Sequence, residues 1–289
     1  MIILNEKQYA QKCIADNDIG EKPYRTLSIL AKYYYFSCGY KKKQISDLLI
    51  EFLQRNYIEY IGKQNFWNEQ IEKIVSKVNK QTLYEISGVK ITKSEMQKIQ
   101  SLNNRLLEKL LFAMLCVAKY YNIKNAKNNG WVNLPDKDML KLANINCSTT
   151  RINGYINSLY QKYLLDLPWR CDVLNYRVTF IDDNEEEIFV SDFRNLGYEY
   201  LLYCGENYIR CAECGTLTAG NKNRDKKYCS KCRCYTPKPT KAIICVNCGI
   251  TFTMPSRSRR KRCDVCYQIE RKRIEREKKA RQKIGRAHV

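Results

Sequence analysis

Eight cysteines near the carboxyl end constrain the fold of this 289-residue chain more than any other feature. The spacing C-x2-C-x14-C-x2-C occurs twice in succession, and Gly215 and Gly249 follow the second cysteine of each set. Two cysteines separated by two residues reach one metal ion from a single turn, and a second pair completes a tetrahedron of thiolates. Glycine suits a turn that needs a positive φ. The predicted ligands are Cys211, Cys214, Cys229 and Cys232 in one set, and Cys245, Cys248, Cys263 and Cys266 in the other.

Zinc is the metal that this repeat favours, in a structural role. A module of about thirty residues cannot bury much of a core, so the bound metal supplies folding energy. The alternatives are unrelated buried thiols, disulfides of a secreted protein, or iron in place of zinc. Cys234 lies close enough to compete with Cys232 as a ligand, and Cys204 is a spare cysteine. We predict two zinc ions per chain.

The net charge of +21 is concentrated toward the carboxyl end. Residues 204–289 contain 23 Lys/Arg and 7 Asp/Glu, a net charge of +16, whereas residues 1–203 contain 28 and 23, a net charge of +5. Two filled four-thiolate sites, each formally −2, would lower the tail to about +12. This surplus predicts contact with nucleic-acid phosphates. The candidate residues are Arg257, Arg259, Arg260, Lys261, Arg262, Arg271, Lys272 and Arg273.

The sequence favours a cytoplasmic protein. MIILNEKQY has no basic region of the kind that begins a signal peptide, and the longest apolar run, Leu110 to Ala118, is too short to cross a membrane. Cysteines outside the repeat have no evident pairing, as expected in a reducing compartment. Residues 284–289 resemble the translation of a sequencing adapter, and we expect them to be an artefact.

The sequence offers little for catalysis. It has no Gly-rich phosphate loop, and its one histidine, His288, lies in the suspect last six residues. The acids between 182 and 187 are better explained as a solvated hairpin tip than as a Mg²⁺ site. We therefore expect no enzyme and no catalytic residues.

Hydrophobic periodicity predicts a mainly α (α+β) chain. Pro23 fits the first turn of a helix that ends near Ser37, and Thr92-Lys-Ser-Glu95 is a capping box that opens another helix. Trp131-Val132 is expected to form a short strand, and Ile188 to Val190 to pair with a strand from Tyr176 to Ile181. The predicted organisation is a helical domain at 1–90, a second domain with a β-hairpin at 91–203, zinc modules at 204–236 and 237–267, and a basic tail at 268–289.

Three stretches resemble known families. LAKYYYFSCGYKKKQISDLLIEFL followed by IEKIVSKV resembles the helical domain at the carboxyl end of some phage and plasmid primases. WVNLPDKDMLKLANINCSTTRINGYINSLYQKYLLDL resembles a winged-helix DNA-binding domain in the order and length of its elements. The cysteine repeat resembles tandem zinc ribbons of phage and mobile-element proteins. The winged-helix resemblance implies a recognition helix from Thr149, with Thr150, Arg151, Asn153 and Asn157 facing double-stranded DNA.

These features favour a zinc-dependent DNA-binding protein, a transcriptional regulator of a phage or mobile element. One alternative is a replication accessory or initiation protein, which the primase resemblance suggests. Another is an RNA-binding protein or a protein–protein adaptor, because zinc modules and winged helices serve both purposes. The sequence predicts no membrane partner.

Overall fold

The computed structural model describes residues 2–168, 175–221, 226–233, 240–255 and 258–286. In these ranges the chain is mainly helical with small antiparallel sheets of two or three strands, which confirms the predicted fold class. The chain forms two compact units, Met1–Lys227 and Tyr228–Val289. No helix in the described ranges is both long enough and apolar enough to cross a membrane.

The first unit begins with a helical bundle. Its elements are α1 (Glu6–Asp16), α2 (Pro23–Phe36), α3 (Lys42–Asn56), α4 (Glu59–Gly62), α5 (Gln64–Lys77) and a 3₁₀ turn (Val78–Lys80). Helix α2 begins at Pro23, as predicted. Proline suits this position because its φ is that of a helix and because it has no N–H to leave unpaired in the first turn. Helix α2 packs against α1, α3 and α5. Leu27, Leu30, Ile45 and Leu49 are fully buried in this core.

The rest of the first unit surrounds one long helix, α7. The elements in chain order are β1 (Val89–Thr92), α6 (Lys93–Gln100), α7 (Arg105–Lys124), a 3₁₀ turn (Ala126–Asn128), β2 (Trp131–Val132), α8 (Asp136–Leu142), α9 (Thr149–Gln161), β3 (Leu165–Asp166), β4 (Tyr176–Val178), β5 (Glu186–Val190), α10 (Leu196–Tyr203), β6 (Tyr208–Arg210) and β7 (Leu217–Ala219). Every residue of α7 from Leu107 to Tyr120 is buried, as expected of a helix that is apolar over most of its surface. Helices α8, α9 and α10 pack against it.

Strands β2, β3 and β4 form a small sheet beside α8 and α9. The sheet order is β2-β4-β3, and both pairings are antiparallel. The strand predicted at Trp131-Val132 is confirmed as β2. Helix α9 buries Ile152, Ile156 and Leu159, so its opposite side is left exposed.

The second unit contains few regular elements. They are α11 (Ser230–Arg233), β8 (Thr240–Ile244), β9 (Thr251–Pro255) and α12 (Asp264–Arg286). Strands β8 and β9 form an antiparallel hairpin, with Ile244 opposite Thr251. Among the described residues of this unit, the buried apolar side chains are Cys229, Cys245, Met254 and Cys263.

The strand at Ile188–Val190 does not pair as predicted. It belongs to β5, which pairs with β1 rather than with β4, and Val190 lies opposite Val89. The side chains of Val89, Ile91 and Val190 are completely or almost completely buried in the core around α7. Pairing of β5 with β1 buries these three side chains and gives the backbone groups of β1 hydrogen-bond partners. If β5 paired with β4 instead, the backbone groups of β1 would have no neighbouring strand.

A buried ion pair holds β1 and α6 against α7. The Lys119 ammonium lies 2.8 Å from the Glu95 carboxylate, and these side chains are 9% and 0% exposed. Glu95 also accepts from the backbone N–H of Thr92 at 2.8 Å, which confirms the predicted capping box. Lys119 donates to the carbonyls of Lys90 and Asp182 at 2.8 and 2.9 Å. Lys119 therefore joins three segments of chain at one point in the core.

Replacing Lys119 by methionine should destabilise the first unit by about 3–5 kcal/mol, because the Glu95 carboxylate would stay buried without its cation. The measurement is urea unfolding followed by tryptophan fluorescence, since all three tryptophans, Trp67, Trp131 and Trp169, precede Lys227. Lys90→Met is the matched control: Lys90 pairs with Glu186 at 3.5 Å on an exposed surface, where such pairs contribute less than about 1 kcal/mol. Equal losses in the two variants would contradict a special role for Lys119.

Candidate metal centres and basic surfaces

Both CxxCG turns have the same backbone structure. Gly215 and Gly249 have φ of +67° and +72°, and each donates its N–H to the carbonyl of the first cysteine, at 2.8 and 2.9 Å. Cys211 donates to Thr216 and Cys245 donates to Ile250, at 3.0 and 2.9 Å. Each turn thus closes on itself, and the positive φ explains why glycine follows the second cysteine.

The similarity extends to the second cysteine pair of each set. Ala212 donates to the Lys227 carbonyl at 2.9 Å, and Val246 donates to the Lys261 carbonyl at 3.1 Å. These equivalent hydrogen bonds are 34 positions apart, as are the cysteines themselves. The repeat in the sequence is therefore also a repeat in backbone hydrogen bonding.

The eight predicted ligands form two clusters. Cys211, Cys214, Cys229 and Cys232 make one, and Cys245, Cys248, Cys263 and Cys266 make the other; within each, the Sγ atoms all lie within 4.8 Å of one another. Thiolates about 2.3 Å from a tetrahedral metal would be roughly 3.8 Å apart. The Sγ atoms of Cys248 and Cys263 are 3.6 Å apart. Each cluster therefore fits one tetrahedral metal ion.

The thiol pKa values in the second cluster are shifted in opposite directions, as expected of sulfurs that lie close together. The backbone N–H of Cys263, which points at the Cys245 sulfur from 3.3 Å, lowers the pKa of that thiol to about 6. Hydrogen bonding with Cys248 and Cys263 raises the pKa of Cys266 to about 12. Four sulfurs this close cannot all become thiolates unless a cation neutralises them. Cys245 is thus the sulfur most readily deprotonated, and binding of a divalent cation by all four would require the remaining thiols to release their protons.

The first CxxCG turn is held by side chains that precede it, which the sequence did not indicate. Arg194 forms a two-oxygen ion pair with Asp192 and donates to the Cys214 carbonyl at 3.1 Å. Asn195 donates to the Leu217 carbonyl at 3.3 Å, and the Leu217 side chain is buried. Each of these contacts joins the turn to the polar DFRN segment before α10. The one hint was that the stretch DFRNLGYEYLLYCGENYIRC leads into the first cysteine set with little linker between.

Cysteines outside the clusters have other surroundings. Cys204 is half-buried, and its sulfur accepts from the Arg105 guanidinium at 3.1 Å. Cys13 and Cys116 are buried, and burial raises the pKa of both thiols. Cys234, the proposed competitor of Cys232, lies outside the described residues.

The predicted DNA-contacting residues of α9 share its exposed side. Thr150, Arg151, Asn153 and Asn157 are all exposed, and the Arg151 guanidinium has no ion pair in the described part of the chain. Gly154 lies among them, and a Cβ placed there would meet nothing within 4 Å. The side of α9 opposite its buried leucine and isoleucines is thus polar and open.

The basic loop of the second module divides into two kinds of residue. The Arg260 guanidinium lies 4.8 Å from the Tyr267 ring centroid and 5.8 Å from that of Phe252. It also donates to the Arg262 carbonyl at 2.7 Å and to Asp264 at 2.6 Å. Arg262 donates to the Asn247 side chain at 3.1 Å. Arg260 and Arg262 therefore have partners inside the module, and their contact with phosphates stays a prediction.

The other predicted basic residues face solvent. Arg259 and Lys261 are exposed and make no ion pair within the described ranges, whereas Arg257 lies outside those ranges. Arg271, Lys272 and Arg273 are exposed on α12. Of these three, Arg273 pairs with Glu270 at 2.9 Å and with Glu277 at 3.9 Å.

The chain was compared with family models, curated proteins and solved structures. No family model, no curated protein and no solved structure matches the chain. The function must therefore be inferred from the two cysteine clusters, the exposed side of α9 and the basic surface of the second unit.

The purified chain should contain two metal ions. Cys214→Ser and Cys248→Ser should each remove one of them, because the two substitutions delete ligands from different clusters. Elemental analysis by mass spectrometry after gel filtration measures the content. Cys204→Ser is the control and should keep both ions, since Cys204 is in neither cluster. Less than about one ion in the unsubstituted chain would contradict the assignment.

Arg260→Ala should speed metal loss from the second cluster roughly tenfold, because stacking between two rings and charge-assisted hydrogen bonds contribute about 1–2 kcal/mol to the closed module. The substitution is best made in a Cys214→Ser background, which removes the first site. Transfer of the metal to a coloured chelator gives the rate. Arg259→Ala removes an equal charge from an exposed neighbour and should leave the rate unchanged; similar rates for the two variants would show that Arg260 does not hold the module closed.

Proposed function

We propose that the chain is a non-catalytic, cytoplasmic DNA-binding protein that regulates transcription in a phage or mobile element. It uses two structural zinc ions. The observation that carries the proposal is the position of α12, which begins at Asp264, between two ligands of the second cluster. Eight Lys/Arg and two Glu follow between Arg271 and Lys283. A metal site thus supports the start of a strongly cationic helix.

Zinc is the proposed metal because four thiolates in a closed tetrahedron are its common structural ligand set. The modules fit a structural role because each cluster uses all four of its cysteines and offers no open position for a substrate. Iron would bind the same donors, and its thiolate complexes absorb visible light, so a colourless protein with two equivalents of zinc supports the assignment.

The basic surface favours nucleic acid as the partner. Each phosphate that a lysine or arginine neutralises releases condensed counterions, and this release makes binding favourable at low salt. Arg259, Lys261, Arg271 and Lys272 are exposed without ion pairs in the described part of the chain and are available for such contacts. These contacts supply affinity but carry no information about base sequence.

Sequence preference is assigned to α9. The succession α7, β2, α8, α9, β3, β4 with sheet order β2-β4-β3 supports a winged helix, in which the second helix of a helix-turn-helix enters the major groove. Thr150, Arg151, Asn153 and Asn157 would then face base edges and phosphates. An arginine reads guanine and an asparagine reads adenine by paired hydrogen bonds, so this set suits double-stranded DNA.

Arg151→Ala or Asn153→Ala should reduce discrimination between a preferred duplex, selected from a random pool by the unsubstituted chain, and random DNA. The expected loss is about 1–3 kcal/mol on the preferred duplex and little on random DNA, if each residue makes a paired base contact. Fluorescence anisotropy at fixed salt measures both affinities. Arg55→Ala is the control, because Arg55 is an exposed arginine on α3 that pairs with Glu51.

Equal losses on preferred and random duplexes would reject α9 as the recognition helix. Selection of forked or single-stranded DNA from the pool would favour the replication accessory protein instead. Selection of RNA, or of no nucleic acid, would favour the RNA-binding or adaptor alternative.

A further inference from the structure

Helix α12 has its charges arranged unevenly around its axis. It runs without interruption from Asp264 to Arg286, and the side chains from Arg271 to Lys278 are exposed. Exposure on all sides means that packing does not explain where its charged residues fall. The distribution of acidic and basic residues around the helix therefore determines which side of it presents positive charge to a partner.

Four of its basic residues fall on one side. Lys272, Arg276, Lys279 and Lys283 have the spacing i, i+4, i+7, i+11, and at 3.6 residues per turn all four positions lie within about 30° of a common line. The acids of the helix, Asp264, Glu270, Glu275 and Glu277, are all at least about 70° from that line. This side, called the basic side below, therefore contains lysine and arginine without an interleaved acid.

The other cations between Arg271 and Lys283 lie among the acids. Arg271, Arg273, Lys278 and Arg281 are about 90° or more from the line of the basic side. Arg273 pairs with Glu270 and Glu277, so part of its charge is used within the helix. Lys272 and Arg276 form no ion pair in the described ranges. The two sets contain equal numbers of cations in different electrostatic surroundings.

We propose that α12 binds duplex DNA through this basic side, with its four cations on phosphates of the backbone. The inference rests on the proposed function and names the surface and the groups that it contacts. From Lys272 to Lys283 the helix rises roughly 16 Å. One DNA strand presents a phosphate about every 3.4 Å along the axis, so this length faces about five phosphates. Along the helix axis the four cations are about 4.5–6 Å apart, so each can contact a separate phosphate, whereas cations spread around the helix could not all face the duplex.

The test compares two full-length variants with the same net charge. In the first, Lys272, Arg276, Lys279 and Lys283 are replaced by glutamine; in the second, Arg271, Arg273, Lys278 and Arg281 are. Glutamine is a good helix former, so both helices should persist. Circular dichroism and metal content check that each variant is folded and holds both ions.

The readout is the slope of log K against log salt concentration on a random duplex. Loss of four phosphate contacts should flatten the slope by about 3–4 for the first variant, because each contact contributes about 0.9. The second variant should change the slope by no more than about one, the contribution of a single contact from Arg271, because none of its four cations lies on the basic side. Equal flattening in both variants would overturn the proposal, because binding would then depend on net charge and not on one side of α12.

The remaining outcomes separate this inference from the proposed function. An unchanged slope in both variants, with the unsubstituted chain still bound to the duplex, would reject α12 as the phosphate contact and leave the role of α9 intact. If the unsubstituted chain fails to bind duplex DNA at low salt, the proposed function is wrong and this inference with it.

Discussion

Convergence of four thiols on one point is the interaction on which the second unit depends. Among its described residues, the buried apolar side chains are Met254 and three of the cysteines themselves. A core of that size cannot offset the conformational entropy of ordering the segment, and a metal ion bound by the cluster would supply the difference. Helix α12 begins between Cys263 and Cys266, so the cluster fixes the position and direction of its first turn. Metal binding would in this way also fix the start of the helix that presents the basic residues.

The two modules repeat the same turn in different surroundings. The turn at Cys211 is held by Arg194 and Asn195, and Leu217 beside it is buried. In the second module, Arg260 of the basic loop instead makes cation–π contacts with two aromatic rings, those of Phe252 and Tyr267. The identical cysteine spacing thus gives both modules the same turn, but the contacts that stabilise the two turns differ. We infer that the first turn retains more structure than the second when metal is withdrawn, because its supporting residues belong to a unit with its own core.

Sequence reasoning succeeded where structure depends on close neighbours in the chain. The grouping of eight cysteines into two sets of four, the capping box at Thr92 and Glu95, and the short strand at Trp131 are all set by local spacing and residue type. The pairing of β1 with β5 was missed, because it joins segments about a hundred residues apart and rests on burial of Val89 and Val190. The internal partners of Arg260 were missed for a similar reason. A count of charges treats every arginine alike, and the aromatic residues at 252 and 267 were the signal that one of them stacks.

The division of cations in the second module predicts that its loop alone would be a weak phosphate site. A four-thiolate site with one divalent metal has a formal charge of −2, and the basic loop lies within the spacing of its ligands. Arg260 and Arg262 are used inside the module, which leaves Arg259 and Lys261 as the described loop cations that face outward. Two exposed cations beside a dianionic centre have little surplus charge. Helix α12 extends roughly 34 Å and takes its cations away from that centre. Under the proposed function, a phosphate backbone would therefore be contacted mainly by the helix, while Arg260 and Arg262 would stabilise the metal site.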